Sequence, residues 1–496
     1  MLNLLRTKYG WLINIFFFAV CVMAGALYEL GIAAVALVFL FLFFAWMLQA
    51  SATTRAVTAL SICLFMGFFH APITTTRSIF FLQDALIIVT FVAVLLGRHS
   101  QPFSVPLTIL FPIFIFVAVS MPLSLLDFDF LIVMNGLRKW LLPFVMFFLA
   151  QLVYQEGMEK KILKLLLWAV VIQVPASLFI GALYSGGSFI IRHADDFTGT
   201  FGRGGTTVIA VLVPPTVIWG ILAAWSGDIK KPLAVGALGA FGILVALCEI
   251  KFALFIMPMM FTMLMLLNFV VRKNLKKVVL NPIALIIPAL TLALLLGVGD
   301  KFITYEKHGT GFVGGLDAFE VRDLERYLGY DKGGIRHWFI AEDQRSATEL
   351  TRYGMLVATL EQASKSPRRL ILGYGLDSVV DNAMQESLLK IMARVDLVAY
   401  QVFSFLLFET GLLGLIAYLT PVLYFFFLSL ELFVRPPPGV SYLLVSGVLL
   451  FTFTALATIL YNDILRYMNF GGVLWFLCGM LYAHRSNAKK AALEQG

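Results

Sequence analysis

Val298-Gly-Asp-Lys301 opens, and Asp396-Leu-Val-Ala-Tyr400 closes, the one long polar interval of this chain. It holds 13 of the 37 Lys and Arg residues and 15 of the 29 Asp and Glu. The sequence on both sides reverts to apolar runs of membrane-spanning length. Joining two helices needs far fewer residues than 298–400 supplies, so this interval reads as the working part, held at one membrane face. It divides the chain into three: 1–297, with eleven expected spans; 298–400, the polar segment; and 401–496, with three more spans and a tail.

Composition sets the class. The 496 residues are 60% hydrophobic and 13% charged, with a mean hydropathy of +0.91. That balance excludes an ordinary soluble domain and predicts an all-α polytopic membrane protein. The formal charge of +8 sits in short loops rather than in one basic patch, so nucleic acid is not an expected partner. Cys21, Cys63, Cys248 and Cys478 lie in or beside apolar runs without metal-ligand spacing, and neither a metal nor a disulfide framework is expected. No cofactor is implied.

A transmembrane helix needs about 20 mostly apolar residues. Spans are expected at 11–27, 31–49, 56–72, 78–97, 104–126, 131–154, 162–185, 207–225, 231–248, 251–271, 279–297, 402–433, 441–461 and 467–484, about fourteen in all. With the N-terminus in the cytoplasm, strict alternation places 17 Lys and Arg in cytoplasmic segments and five (Arg77, Arg192, Arg203, Lys251 and Arg466) in the short outer loops. The positive-inside rule favours that orientation. Both termini are then cytoplasmic and 298–400 lies outside. Without ATP on that side, a reaction there needs a substrate that arrives already activated.

Residues 186–206 form a second outer segment, with Gly199, Gly202, Gly204 and Gly205 ahead of a helix expected near Thr206 and Thr207. Glycine backbone with free N–H groups, a helix start and the flanking Arg192 and Arg203 suit an anion such as a phosphate. A flexible loop with solvated arginines is the plainer reading. Asp84, Arg138, Lys139 and Glu409 fall inside apolar spans, where charges face a partner or a cavity. Arg138 and Lys139 either pair with an acid such as Asp84 for packing or meet substrate. Lys251, at an outer turn, is a further candidate for an anion site. Asp463 and Arg466 are spaced for a local ion pair. Pro214 and Pro215 predict a kink.

Within the large segment, Gly333-Gly-Ile-Arg-His-Trp-Phe339 precedes a helix expected over 346–363, with Arg345 and Arg352 on one face. Lys365 to Pro367 ends it. A turn follows through Gly373-Tyr-Gly-Leu-Asp377, and 379–399 reads as an amphipathic helix at the membrane surface.

Arg352 followed by an apolar helix, Pro367 and Gly373-Tyr374-Gly375 resembles the periplasmic helix and turn of the O-antigen ligase and polymerase family. Phe405-Leu-Leu-Phe-Glu409-Thr-Gly411-Leu-Leu-Gly414 is similar to that family's next helix. Gly199-Thr-Phe-Gly202 resembles its Gly-x-Phe-Gly loop, and Glu249-Ile-Lys251 its short outer turn. The resemblance covers about 190–420 in the correct order. It implies a GT-C-like bacterial inner-membrane glycosyltransferase, multipass and metal-independent, that uses glycan carried on undecaprenyl diphosphate at the periplasmic face. Arg352 is the first candidate for binding or stabilising the diphosphate leaving group. Arg192, Arg203, Lys251, Arg345 and Arg336 are further diphosphate ligands. A flippase and a chain-length regulator of the same pathway are implied partners, besides membrane lipid.

Where the family's ligases carry His-Asn ahead of the Glu, this chain has Tyr400 and Gln401. A tyrosine of ordinary pKa is a poor base at neutral pH. The acceptor proton then goes to another group, with His337 and Asp377 as candidates, and a polymerase fits better than a ligase that transfers glycan to a lipid A core. His337 also has a purely structural reading, beside Trp338. The reading from another class is a lipid-linked oligosaccharide flippase, supported by the span count and intramembrane charges. The hundred-residue outer segment and the lack of an internal repeat weigh against it.

Overall fold

A computed structural model describes residues 29–69, 78–96, 106–127, 130–184, 199–201, 205–247, 256–264, 267, 352–378, 401–459 and 464–495. Among them there is no strand. The helices are α1 (Glu29–Gln49), α2 (Ala52–Phe65, extended by a 3-10 turn, Met66–Phe69), α3 (Ser78–Leu96), α4 (Leu107–Asp127), α5 (Phe130–Val153), α6 (Met158–Tyr184), α7 (Gly205–Trp225) and α8 (Lys231–Leu247). Within the large segment lie α9 (Arg352–Ser364) and α10 (Pro367–Leu372), and after it come α11 (Val402–Val434), α12 (Tyr442–Thr458) and α13 (Val473–Gln495). The expected spans at 11–27 and 279–297, and the expected surface helix at 379–399, lie outside the described residues.

Four stretches are long and apolar enough to cross a membrane: Ile132–Val153, Met158–Ile180, Gly205–Trp225 and Val402–Val434. Shorter apolar helices accompany them. This is a helical membrane protein. Its exposed surface carries bare Phe41, Phe111, Phe114 and Phe427, which in water would be costly and in lipid is not. The core is continuous. α5 packs along α13, α4 along α11, α11 along α12, and α7 against both α8 and α12. Trp219 on α7 donates to the Leu443 carbonyl at 2.7 Å, so a buried indole N–H is satisfied where α7 meets α12. α7 runs on through Pro214 and Pro215.

Polar contacts gather at two ends. At one, Gln155 and Lys161 reach Thr53, Lys160 pairs with Asp228 at 2.8 Å, and Ser441 donates to Glu159. His484 joins them: its Nε2 accepts from the Ser441 N–H at 2.8 Å, and its Nδ1 meets Tyr154 Oη at 2.7 Å. A ring nitrogen accepting from a backbone N–H bears no proton, which assigns the other hydrogen to Nδ1. Arg55 fixes the same end by donating to the Met47 and Leu48 carbonyls, the orphan acceptors that close α1. The opposite end holds the 3-10 turn Gly199–Phe201, Arg466 and the turn that follows α10.

Candidate functional site

The site grows from a break in α11. Gly411 has φ +65° and ψ −171° and interrupts the helix. The break frees the carbonyls of Phe408 and Glu409. Tyr374 N–H takes the first at 2.7 Å and Gly375 N–H the second at 2.9 Å, so the turn after α10 replaces the missing helical donors. Gly373 also has a positive φ, +78°. A Cβ on Gly373 would strike the Glu409 carbonyl, and one on Gly411 would strike Ile371. The two backbones cross at van der Waals contact, and only glycine permits it at either position. Tyr374 stacks on Phe408 with ring centroids 4.4 Å apart, and its hydroxyl donates to the Gln362 carbonyl at 2.8 Å. α9, α10 and α11 are thereby tied together.

The same turn is gripped from two other helices. Leu376 N–H donates to Ser124 Oγ of α4 at 2.7 Å. Gly136 of α5 lets the backbone at 376–377 lie against it, since a Cβ there would meet Leu376. Asp377 then takes a left-handed conformation, φ +63°, which Asp tolerates better than most residues. Its buried carboxylate accepts from Asn135 Nδ2 at 2.6 Å and forms an ion pair with Lys139. Arg466 Nη2 stands 3.7 Å away. Burial raises the pKa of this carboxyl. The charges of Lys139 and Arg466, with the hydrogen bonds from Lys139 and Asn135, outweigh burial and hold it below the usual aspartate range.

Arg466 lies between two rings, its guanidinium carbon 5.0 Å from the Trp140 centroid and 4.2 Å from that of Phe405. Trp140 donates to Glu409 Oε2 at 2.9 Å. Glu409 is fully buried, and its second oxygen has no hydrogen-bond partner among the described residues. Next along α5, Arg138 pairs with Asp84 of α3. Six ionisable groups, three acids and three bases, therefore converge from α3, α5, the 373–378 turn, α11 and the segment before α13. No cluster of metal-ligating side chains occurs among the described residues.

Of the residues nominated from sequence, Asp377 lies at the centre of this network. Arg352 opens α9, the first helix of the α9–α11 group. His337, Tyr400, Arg192, Arg203, Lys251, Arg345 and Arg336 lie outside the described residues. Asp377 was a candidate proton acceptor. A carboxylate held by two cations and an amide has little basicity to spare, and the geometry makes it a clamp between turn and bundle. Arg466, read from sequence as a partner of nearby Asp463, stands beside Asp377; Asp463 lies outside the described residues. The glycine loop also differs in part from expectation. Thr200 N–H is taken by Gln173 Oε1 at 2.8 Å, and Thr200 Oγ1 donates to the Leu64 carbonyl at 2.8 Å. That N–H is spent on packing and is not available to an anion. The expected pairing of Arg138 with Asp84 is present, and Lys139, expected to need an acid, finds Asp377. Asn135 and Ser124 were legible only as residues of apolar spans; three-dimensional convergence gives them a role.

Comparison with family models, with characterised proteins and with solved structures returns no match.

Proposed function

We propose that this protein is a membrane glycosyltransferase that extends lipid-linked glycans, taking oligosaccharide repeats from undecaprenyl diphosphate at the outer face of a bacterial inner membrane. The observation that carries this reading is the anchoring of the 373–378 turn, within the large polar segment, into a charged cluster of the apolar bundle. A hundred-residue polar segment fastened there has the means to bring acceptor and donor together at the membrane surface. Intramembrane charges at such a junction pair with one another and are candidates for a substrate path. On this proposal the end holding Asp377 faces outward, as the positive-inside count requires. The donor is activated by its diphosphate, and cations near the leaving group stabilise the charge it develops. Arg352 takes first place in that role, at the start of the helix joined through Tyr374 to the α11 break.

The test is the length of the product in cells. Cells lacking the protein should accumulate the lipid-linked single repeat and lose long chains. Arg352→Ala should be inserted at normal level and give the same phenotype. Normal chain length in the deletion would overturn the function, and normal length in Arg352→Ala alone would remove Arg352 from it.

A further inference from the structure

Each acid of the cluster except one has a cation. Asp84 pairs with Arg138, and Asp377 with Lys139. Glu409 makes no ion pair among the described residues; Trp140 serves its Oε2, and its buried Oε1 has no partner there. The bases leave a matching remainder. Arg466 donates no hydrogen bond to a described residue. It rests between the Trp140 and Phe405 rings, 3.7 Å from an Asp377 carboxylate that Lys139 and Asn135 already bond. An acid without a cation and a cation without an acceptor thus meet the same indole, Glu409 at its N–H and Arg466 at its face, and do not join. Opposite charges buried this near attract strongly in a medium of low dielectric, and ionised side chains within a span pair with one another. A neutral Glu409 accounts for the separation. A protonated carboxyl offers Arg466 no charge, and an unpaired O–H costs far less to bury than an unpaired anion. The backbone bearing Arg466 suits a cation that moves. Arg466 closes the 3-10 turn Ile464–Arg466, Tyr467 is extended, and a π turn, Met468–Gly472, follows at once. Windings of that kind concentrate at functional sites. Lys139, Asp377 and Arg466 are the ionisable groups that face Glu409 from neighbouring elements. Of the other helices packed on α11, α12 carries no charged residue, α4 only Asp127 at its end, α10 Arg368 and Arg369, and α9 Arg352 and Glu361.

We propose that Glu409 is a proton-binding site in the membrane interior, and that Arg466 is the cation it takes when the proton leaves. With the proton bound, Arg466 stands by Asp377 and two cations hold the 373–378 turn. Loss of the proton to water leaves a carboxylate, Arg466 moves to it, and Asp377 loses one of its two cations. The turn then loosens, and with it the hold on the large polar segment. Acid tightens this clamp and alkali relaxes it. The site does not depend on glycan transfer.

The test uses purified full-length protein in phosphatidylcholine nanodiscs and needs no turnover. Infrared difference spectra between about pH 5 and about pH 9 should show the C=O stretch of a protonated carboxyl at the acidic end and its loss at the alkaline end. Glu409→Gln, which has the shape of the neutral acid, should lack that band throughout. Hydrogen exchange, corrected for the intrinsic effect of pH, should show the 373–378 amides of the wild type at least about tenfold less protected at the alkaline end. In Glu409→Gln the same amides should be equally protected at both ends, because the clamp stays closed. A wild-type spectrum without a protonated carboxyl, or with one that persists in Glu409→Gln, would overturn the proton site. Wild-type protection that does not change with pH would overturn the movement of Arg466. The exchange measurement on the wild type needs no variant, so it decides even where Glu409→Gln fails to fold. Neither measurement reads glycan extension. A protein that extends no glycan but shows both effects would refute the enzyme and keep the proton site, and one that extends glycan but shows neither would do the reverse.

Discussion

Asp377 combines three features that rarely coincide: a left-handed backbone, a fully buried carboxylate and two cations within ion-pair distance. Breaking such a buried pair by removing one partner costs about 3–5 kcal/mol, mostly because the other charge is stranded. The pH dependence follows from the direction of its shift. A carboxyl whose folded pKa lies below its unfolded value stabilises the fold fully above the unfolded value, about 3.9 for Asp. That contribution is lost as pH falls through the folded pKa. The protein in detergent should therefore lose thermal stability below about pH 4, and Asp377→Asn should flatten that part of the profile. Thermal scans between pH 3 and 7 on both proteins read this, and an unchanged acid limb in Asp377→Asn would remove the clamp. The sequence nominates Asp377, beside His337, as an alternative proton acceptor where Tyr400 stands in place of a histidine. It gave no sign of the partners, because Lys139 is 238 positions away and apolar periodicity carries no information on which spans meet.

At the scale of elements, α11 is the instructive case. The apolar run at 402–433 reads as one unusually long span, and a 33-residue helix is found, broken at Gly411. Hydrophobic spacing is blind to a single residue with positive φ, so the break stayed hidden although the glycine was in view. The helix ends were far more legible. α6, expected at 162–185, spans Met158–Tyr184, and α5, expected at 131–154, spans Phe130–Val153. Such boundaries follow from where charge and polarity interrupt apolar runs. The crossing of Gly373 and Gly411 is the joint on which the turn depends. Alanine at either position meets backbone rather than a movable side chain, and left-handed strain adds about 1–3 kcal/mol to the clash. Both Gly373→Ala and Gly411→Ala should lower the unfolding midpoint clearly, while Gly439→Ala, which has a positive φ but open space around it, should lower it less. Equal midpoints for the three variants would contradict the crossing.

For the whole molecule, the arrangement of charge matters more than its sum. One end gathers the Lys160–Asp228 pair and the His484 network, and the other gathers Asp84, Arg138, Lys139, Asp377 and Arg466. The proposed orientation predicts that a reporter fused near Gly333 is active only outside the cytoplasm, and cytoplasmic activity there would reverse the topology. The class, and the positions of the described long apolar helices, were legible because a bilayer imposes length and apolarity on every crossing. The intramembrane charges of the cluster and the Arg138–Asp84 pair were legible too, but the convergence of the full cluster was not, because it is assembled from five places along the chain. The central claim is that this cluster and the segment fastened to it perform glycan extension. Purified protein in nanodiscs, supplied with undecaprenyl-diphosphate-linked oligosaccharide and resolved by gel or mass spectrometry, tests it most directly. The account predicts a ladder of lengthened lipid-linked glycans. No lengthening, with the same substrate carried across the bilayer of sealed vesicles, would contradict it and make the protein a transporter.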